Sequence, residues 1–328
     1  MNWLTKSWYQ PRPLRWLLSP LSALFRLITA LRKQCYRFGL FKQHRLPVPV
    51  VIVGNITVGG TGKTPFVIWL AQQLQLQGFK PGIVSRGYGG NSDTYPLEVH
   101  KDSDPTIVGD EPVIIARQTA CPMAVSPKRI EAARYLLEQQ GCDLIISDDG
   151  LQHYALARDV EVVIVDAKRE FGNQFCLPAG PLREPLSRLK TVDFIVYNGN
   201  SNQAFNMVLS AQHAVNLSNS SIRKDLADFK DQLVHGIAGI GNPERFFDLL
   251  NTFDINVIPH AFNDHHAFAL SDFDFEESLP IIMTEKDAVK CADLALENAW
   301  FLPVEAQVSG NLIGDIVDLL KLKGGTNG

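Results

Sequence analysis

The stretch Val50-Val-Ile-Val-Gly54-Asn-Ile-Thr57-Val-Gly59-Gly60-Thr61-Gly62-Lys63-Thr64 decides the fold of this 328-residue chain. It joins a β-branched apolar run to a glycine-rich turn and then to a segment with helical periodicity. A continuous apolar run is typical of a parallel strand buried on both faces, and Pro49 suits the start of such a strand. Strand, turn and helix in this order predict a phosphate-binding P-loop.

The glycine-rich turn contains the residue types that bind a nucleotide. Its glycines let backbone N–H groups close around phosphate oxygens, and the N-terminus of the helix adds positive potential. Lys63 is expected to contact the β- and γ-phosphates, and the Thr64 hydroxyl is expected to bind Mg²⁺. Thr57 departs from the formal pattern, which has glycine there, and a tight turn with a surface lysine is the alternative. We predict ATP binding by residues Thr57, Val58, Gly59, Gly60, Thr61, Gly62, Lys63 and Thr64.

A second motif follows the apolar run Leu144–Ser147, which is predicted to be a strand. Acidic residues at the end of such a strand supply the second magnesium anchor of P-loop enzymes, so Asp148 or Asp149 is a candidate metal ligand. Acids in this position also cap helices. Gln152 and His153 follow closely enough to face the same cleft, although His153 could equally be a partly buried structural residue.

Two further acid and histidine motifs have open roles. Asp110 could cap a helix or act as a base for an acceptor hydroxyl, and spacing does not choose between them. The pair His265-His266 follows Asp264 in the second half of the chain. Zinc is disfavoured because further ligands do not stand nearby at helical spacing. A histidine that reaches across an interdomain cleft is better motivated, because ligands favour such clefts.

Two loops are candidate phosphate or nucleotide contacts. Arg86 and Tyr88 follow the second predicted strand, where α/β proteins place their ligand loops. Arg183 and Glu184 lie in a proline-rich loop. Surface turns shaped by glycine or proline are the alternative in both places.

The N-terminal end of the chain is strongly basic and amphipathic. Twelve Lys and Arg residues precede the first acidic residue, Asp93, although the net charge of the whole chain is −4. Residues 14–31 repeat apolar side chains at steps of three and four, which predicts an amphipathic helix. Its longest stretch without a charged residue is too short to span a bilayer. We predict an in-plane anchor on an anionic membrane, helped by the aromatic side chains of Trp3, Trp8, Tyr9 and Trp16; a helix packed on the globular body is the alternative.

Strands and helices alternate along the rest of the chain, which predicts an α/β fold with a P-loop NTPase-type, doubly wound parallel sheet. A second, smaller α/β domain and the N-terminal amphipathic membrane helix complete the predicted architecture. The five cysteines are scattered without a C-x-x-C pair, which suggests a reducing compartment. The predicted divisions are a membrane-associated segment over 1–45, a nucleotide-binding domain over 46–204, a linker over 205–230 and a C-terminal domain over 231–328.

An ordered set of motifs resembles one family closely. The set comprises the P-loop, Ser85-Arg86-Gly87-Tyr88-Gly89, Gly109-Asp110-Glu111-Pro112, Asp148-Asp149-Gly150-Leu151-Gln152-His153, Gly180-Pro181-Leu182-Arg183-Glu184, Gly239-Ile240-Gly241-Asn242-Pro243, Phe262-Asn263-Asp264-His265 and Thr284-Glu285-Lys286-Asp287. In this order the motifs are similar to those of the tetraacyldisaccharide 4′-kinases, the lipid A 4′-kinases of Gram-negative bacteria. The resemblance extends from the N-terminal helix to about Lys290.

The resemblance implies that ATP phosphorylates the 4′-hydroxyl of a tetraacylated glucosamine disaccharide 1-phosphate at the cytoplasmic face of the bacterial inner membrane, forming lipid IVA. It implies that Asp110 and His265 form a catalytic pair together with Lys63, and that Glu184 reads the adenine. We expect the lipid acceptor and the membrane surface as partners, and neither a nucleic acid nor an obligate protein partner. Two rival interpretations are a membrane-associated P-loop ATPase or GTPase switch and a lipid-binding scaffold with a vestigial nucleotide site.

Overall fold

The computed structural model of the chain describes residues 7–9 and 14–324, so Trp3 lies outside the described residues. Two sheets organise this part of the chain, one of nine strands and one of six. The strands are β1 Val50–Gly54, β2 Pro81–Ser85, β3 Leu97–Val99, β4 Met123–Val125, β5 Leu144–Ser147, β6 Val160–Asp166, β7 Phe194–Asn198, β8 Asn206–Ser210, β9 His213–Asn216, β10 Arg223–Asp225, β11 Leu233–Ala238, β12 Asn256–Ala261, β13 Ile281–Thr284, β14 Ala299–Leu302 and β15 Glu305–Val308. The larger sheet has the order β15-β8-β7-β6-β1-β5-β2-β4-β3, and the smaller has the order β10-β9-β14-β13-β11-β12.

Helices cover both faces of the larger sheet. The helices are α1 Leu14–Arg37, α2 Lys63–Leu76, α3 Pro105–Val108, α4 Asp110–Thr119, α5 Arg129–Gln140, α6 Pro243–Asn251, α7 Glu285–Lys290 and α8 Leu312–Gly324, with 3₁₀ turns at Leu186–Thr191, Leu226–Phe229 and Leu270–Phe273. On one face, α2, α4 and α8 share a buried apolar cluster that includes Phe66, Val113 and Ile316. On the other face, α5 packs through Leu136. The predicted doubly wound α/β fold is therefore confirmed.

The middle of the larger sheet brings the predicted motifs to one edge. β1 pairs in parallel with β5 and with β6, and β5 pairs in parallel with β2. All five residues of β1 are buried, as expected for a central strand. The carboxyl ends of parallel strands meet at the same edge of a sheet, which is where α/β proteins bind their ligands. The P-loop, Asp148 and Arg86 follow these carboxyl ends.

The last part of the chain returns to the larger sheet. We expected residues 231–328 to belong to the smaller domain, but β15 pairs antiparallel with β8 at the edge of the nine-stranded sheet. Helix α8 then buries Leu312 and Ile316 in the same cluster as α2. This return covers an edge strand and an apolar helix face that would otherwise meet water.

Helix α1 presents most of its large apolar side chains to the outside. Leu17 is 76% exposed and Leu24 is 53% exposed. Its buried Ser22 faces the body of the protein and donates a hydrogen bond to the carbonyl oxygen of Cys176, at 2.7 Å. Among residues 7–9 and 14–324, we find no helix with the length and apolar character needed to cross a bilayer.

Candidate active site

The P-loop is a preformed turn at the end of β1. Gly59 and Gly62 have φ angles of +106° and +90°, which L-residues rarely adopt. Asn55 donates a side-chain hydrogen bond to the Thr61 hydroxyl at 3.2 Å, and Asn198 donates one to the Thr61 carbonyl oxygen at 2.9 Å. The first turn of α2 has no acidic residue. The loop is thus held from both sides and offers a helix N-terminus to an anion.

The smaller sheet contributes a loop that closes against the P-loop. A Cβ atom placed on Gly241 would lie 2.6 Å from the backbone nitrogen of Gly60, so only glycine fits this approach. Arg169 bridges the two loops by donating to the carbonyl oxygens of Gly60 and Gly241, and Asp166 holds its guanidinium group at 3.2 Å. Arg169 was not predicted from the sequence, because it belongs to none of the recognised motifs.

Asp148 and Asp149 have different surroundings although they are adjacent. Asp148 is fully buried, and its Oδ1 accepts no hydrogen bond from the described residues. Burial, together with the charges of Glu111 and Asp149, raises the pKa of Asp148 to about 7. Asp149 turns away with a φ angle of +44° and forms ion pairs with Lys63 at 3.6 Å and with Arg183 at 3.0 Å. Burial opposes its ionisation, but these two cations lower the pKa of Asp149 to about 2.

Asp110 and His265 come into contact across the cleft between the two sheets. Nδ1 of His265 lies 3.2 Å from Oδ1 of Asp110, and His265 itself has a φ angle of +60°, a conformation uncommon for a non-glycine residue. Oδ2 of Asp110 accepts no hydrogen bond from the described residues and lies 3.8 Å from Nζ of Lys286. This oxygen is buried beside an ammonium group and keeps unused hydrogen-bonding capacity among the described residues.

The contact between Asp110 and His265 favours the charged form of each side chain. Burial raises the pKa of Asp110, but the hydrogen bond from His265 and the charge of Lys286 hold it below its usual value. The hydrogen bond to Asp110 raises the pKa of His265. His266 points elsewhere and contacts Asp272 at 3.0 Å.

The family model of tetraacyldisaccharide-1-P 4′-kinase matches residues 14–321 of this chain. The chain belongs to this 4′-kinase family. Similar relatives include the tetraacyldisaccharide 4′-kinase of Nitrosococcus oceani, 49% identical over 97% of this chain and 94% of its own length, and that of Methylobacillus flagellatus, 51% identical over 96% and 95%. The crystal structure of LpxK from Aquifex aeolicus in complex with ATP is similar with a TM-score of 0.77 and 30% identity, covering 94% of this chain and 99% of that one.

The remaining predicted residues of this 4′-kinase surround the carboxyl edge of the larger sheet. Backbone hydrogen bonds pair the P-loop entrance with the proline-rich loop, from Val58 to Pro181 and from Arg183 to Ile56. Tyr88 is 65% exposed, and its ring lies 4.9 Å from that of His265. Arg86 is exposed beside it.

Gln152, Glu184 and His153 lie on the side of the site nearest α1. Gln152 donates hydrogen bonds to the Asn55 carbonyl oxygen and to Glu184, at 3.0 and 2.9 Å. Glu184 is buried and also accepts a hydrogen bond from the Tyr154 hydroxyl. Burial, with several arginines nearby, lowers the pKa of His153 to about 4, so this imidazole is neutral near pH 7.

The buried Arg129 was not predicted from the sequence. It donates a 2.9 Å hydrogen bond to the Asp149 carbonyl oxygen. Its position at the start of α5, away from the recognised motifs, offered no signal of this contact.

Proposed function

We propose that this enzyme transfers the γ-phosphate of ATP to the 4′-hydroxyl of a tetraacyldisaccharide 1-phosphate, which yields lipid IVA. The contact between Asp110 and His265, at the edge that carries the P-loop, is the observation that carries this proposal. Phosphoryl transfer depends mainly on positioning and charge stabilisation. The site supplies both from fixed backbone and buried side chains.

Residues 57–64 hold the triphosphate in this proposal. Backbone N–H groups of Gly60 and Gly62 and the ammonium of Lys63 surround the phosphate oxygens. Lys63 is already directed into the site by its 3.6 Å ion pair with Asp149. A bound triphosphate would compete with Asp149 for the same ammonium. Glu184 remains a proposed adenine contact on the strength of the resemblance, although its carboxylate already accepts hydrogen bonds from Gln152 and Tyr154.

The donor set fits a magnesium ion. Asp148 offers a buried oxygen that lacks a hydrogen-bond donor among the described residues, and Thr64 lies in the first turn of α2. Those residues contain no cluster of three or more acidic, histidine or cysteine side chains. Mg²⁺ does not need such a cluster, because it keeps waters and binds one or two carboxylates with phosphate oxygens. Thr64, Asp148 and Asp149 would hold the ion. Bound Mg²⁺ would offset the phosphate charge.

Asp110 acts as the general base in the proposed reaction. Its Oδ2 accepts the proton of the acceptor hydroxyl while the hydroxyl oxygen forms a bond to the γ-phosphorus. The bond between that phosphorus and the bridging oxygen breaks, and ADP leaves. His265 donates its Nδ1–H to Oδ1 and thereby orients the carboxylate. The exposed Tyr88 and Arg86 and the half-buried Arg183 are proposed contacts of the acceptor. Gln152 and His153 are two further proposed contacts.

Helix α1 is the proposed attachment to the membrane at the cytoplasmic face of the inner membrane. Its exposed apolar side chains face away from the body, as membrane burial requires. Nine Lys and Arg residues lie between Lys6 and Arg45, and each one near an anionic surface contributes about 1 kcal/mol. An acylated acceptor resides in the same surface, so attachment brings enzyme and acceptor together.

Incubation with ATP, Mg²⁺ and tetraacyldisaccharide 1-phosphate in mixed micelles tests the function. Mass spectrometry should detect a product heavier by one phosphate in the wild type and not in Lys63→Ala. The disaccharide lacking the 4′-hydroxyl should remain unmodified. If ATP binds but no lipid product forms, the kinase assignment fails and a nucleotide-dependent switch becomes the better interpretation.

A further inference from the structure

Three of the four residues in the run Thr284-Glu285-Lys286-Asp287 have structural roles. The Thr284 hydroxyl accepts a 3.1 Å hydrogen bond from the backbone of Asp287 and so caps α7. The buried Asp287 carboxylate accepts a 2.8 Å hydrogen bond from the backbone N–H of Gly239. Glu285 accepts a hydrogen bond from Gln118 of α4. Lys286 alone is directed towards the cleft.

Lys286 meets three carboxylates that come from both halves of the molecule. Its Nζ atom lies 2.9 Å from Glu111 and 3.8 Å from Asp110, which open helix α4 under the larger sheet. The same atom lies 3.1 Å from Asp264, which precedes His265 in the smaller half. The Lys286 side chain is only 14% exposed. Burial lowers the pKa of Lys286, but the three carboxylates together raise it, so the amine is charged at neutral pH.

The charges around Asp110 leave few substitutes for this ammonium. His265 contacts Asp110 directly, and Lys290 is a more distant cation that is paired with Asp287 at 2.8 Å. Glu111 and Asp264 are both anionic. Without the Lys286 charge, three carboxylates would face one another across the cleft, which is strongly unfavourable in a partly buried site.

We propose that Lys286 is a positioning residue of the phosphoryl transfer, which joins the two halves of the enzyme so that Asp110 and His265 meet. This inference rests on the proposed function. Lys286 acts through the carboxylates of α4 and through Asp264, and its ammonium also keeps Asp110 ionised. The Gly241 and Arg169 contacts close the phosphate end of the cleft, whereas Lys286 closes the end that carries the base.

Steady-state kinetics of the full-length Lys286→Met variant over a range of pH test this role. We expect kcat to fall on the order of 10²-fold, the scale associated with about 1 Å of misplacement. The KM for ATP should stay close to the wild-type value, since Lys286 does not contact the P-loop. The acidic limb of the kcat profile should move to higher pH, because loss of the nearby cation raises the pKa of Asp110. Lys286→Arg should return the acidic limb to its wild-type pH, because arginine carries the same charge.

Lys168→Met is the matched control. Lys168 also joins the two halves, through an ion pair with Asp248 at 3.4 Å. Unlike the Lys286 contacts, this pair is on the surface, because its two side chains are 80% and 64% exposed. Its removal should leave kcat and the pH profile unchanged. An equal loss in both variants, or an unchanged profile in Lys286→Met, would overturn the proposal. If Lys286→Met does not fold, Lys286→Gln removes the same charge with a polar side chain.

A titration that needs no turnover separates this inference from the proposed function. The NMR signal of the His265 ring, assigned with His265→Asn, should titrate at higher pH in Lys286→Met than in the wild type, because Lys286 lowers the pKa of His265. If the wild type forms no lipid product but the shift is present, the proposed function is refuted, and only the electrostatic contact of Lys286 with Asp110 and His265 remains. An active wild type without the shift would refute the positioning role alone.

Discussion

Replacing Gly62 by alanine should disable the P-loop for two separable reasons. Gly62 has a φ angle of +90°, and a Cβ atom there would overlap the side-chain nitrogen of Asn198 and lie 3.1 Å from the terminal methyl carbon of Met207. Asn198 would have to move and would lose its 2.9 Å hydrogen bond to the Thr61 carbonyl oxygen. Gly78, at the other end of the same helix, has the same φ angle of +90° with no atom within 4 Å of its Cβ position.

The comparison of the two glycines isolates the effect of the close packing. An alanine in the left-handed region costs roughly 1–2 kcal/mol in either variant, and the entropic effect on the unfolded chain is the same for both. Gly62→Ala additionally loses a hydrogen bond worth about 0.5–1.5 kcal/mol. We therefore expect Gly62→Ala to lower the free energy of unfolding by about 1 kcal/mol more than Gly78→Ala does.

Thermal unfolding with and without ATP measures both effects. At an ATP concentration of about 100 times Kd, the wild type and Gly78→Ala should gain about 2.7 kcal/mol. Gly62→Ala should gain far less at the same concentration, because the displaced Thr61 backbone no longer shapes the phosphate site. Equal unfolding midpoints and equal ATP stabilisation in the two variants would refute the reasoning.

Three other predictions concern the base, its partner and the membrane helix. Asp110→Asn should lower kcat by roughly 10²–10⁴-fold in a variant that still folds, which is the usual contribution of a general base; a loss below about tenfold would exclude that role. The pKa of His265 in the folded protein is raised above 6.5. Its contact with Asp110 therefore contributes fully to the free energy of unfolding below the pKa of the unfolded state, and this contribution is lost as pH rises through the folded-state pKa. The difference in unfolding free energy between wild type and His265→Asn should therefore be larger near pH 6 than near pH 9. A difference that does not change with pH would contradict this prediction. Leu24→Glu should weaken sedimentation with anionic vesicles, whereas Leu76→Glu, at a position 76% exposed on α2, should bind them like the wild type; equal binding by both variants would argue against α1 as the anchor.

Local patterns were enough to predict the central part of the fold. The apolar run before the glycines indicated a central strand, and β1 is buried along its whole length. The strand predicted over Leu144–Ser147 is present with these bounds as β5. The short strands β3 and β4 were missed, because three-residue segments carry too little periodicity to be distinguished from loops. The path of residues 305–324 was also missed, because pairing with β8 depends on which sheet edge is free.

Sequence by itself determined the P-loop, the alternation of strands and helices and the presence of acids after β5, because these depend on neighbouring residues. Tertiary structure decided which of two adjacent aspartates has a free oxygen, since the φ angle of Asp149 turns it towards Lys63 and Arg183. It also decided which face of α1 meets the outside. The contact of Asp110 with His265, 155 residues along the chain, and the meeting of Lys286 with three carboxylates arise only when two sheets close on each other, because electrostatic contacts depend on distance in space and not on spacing in the chain.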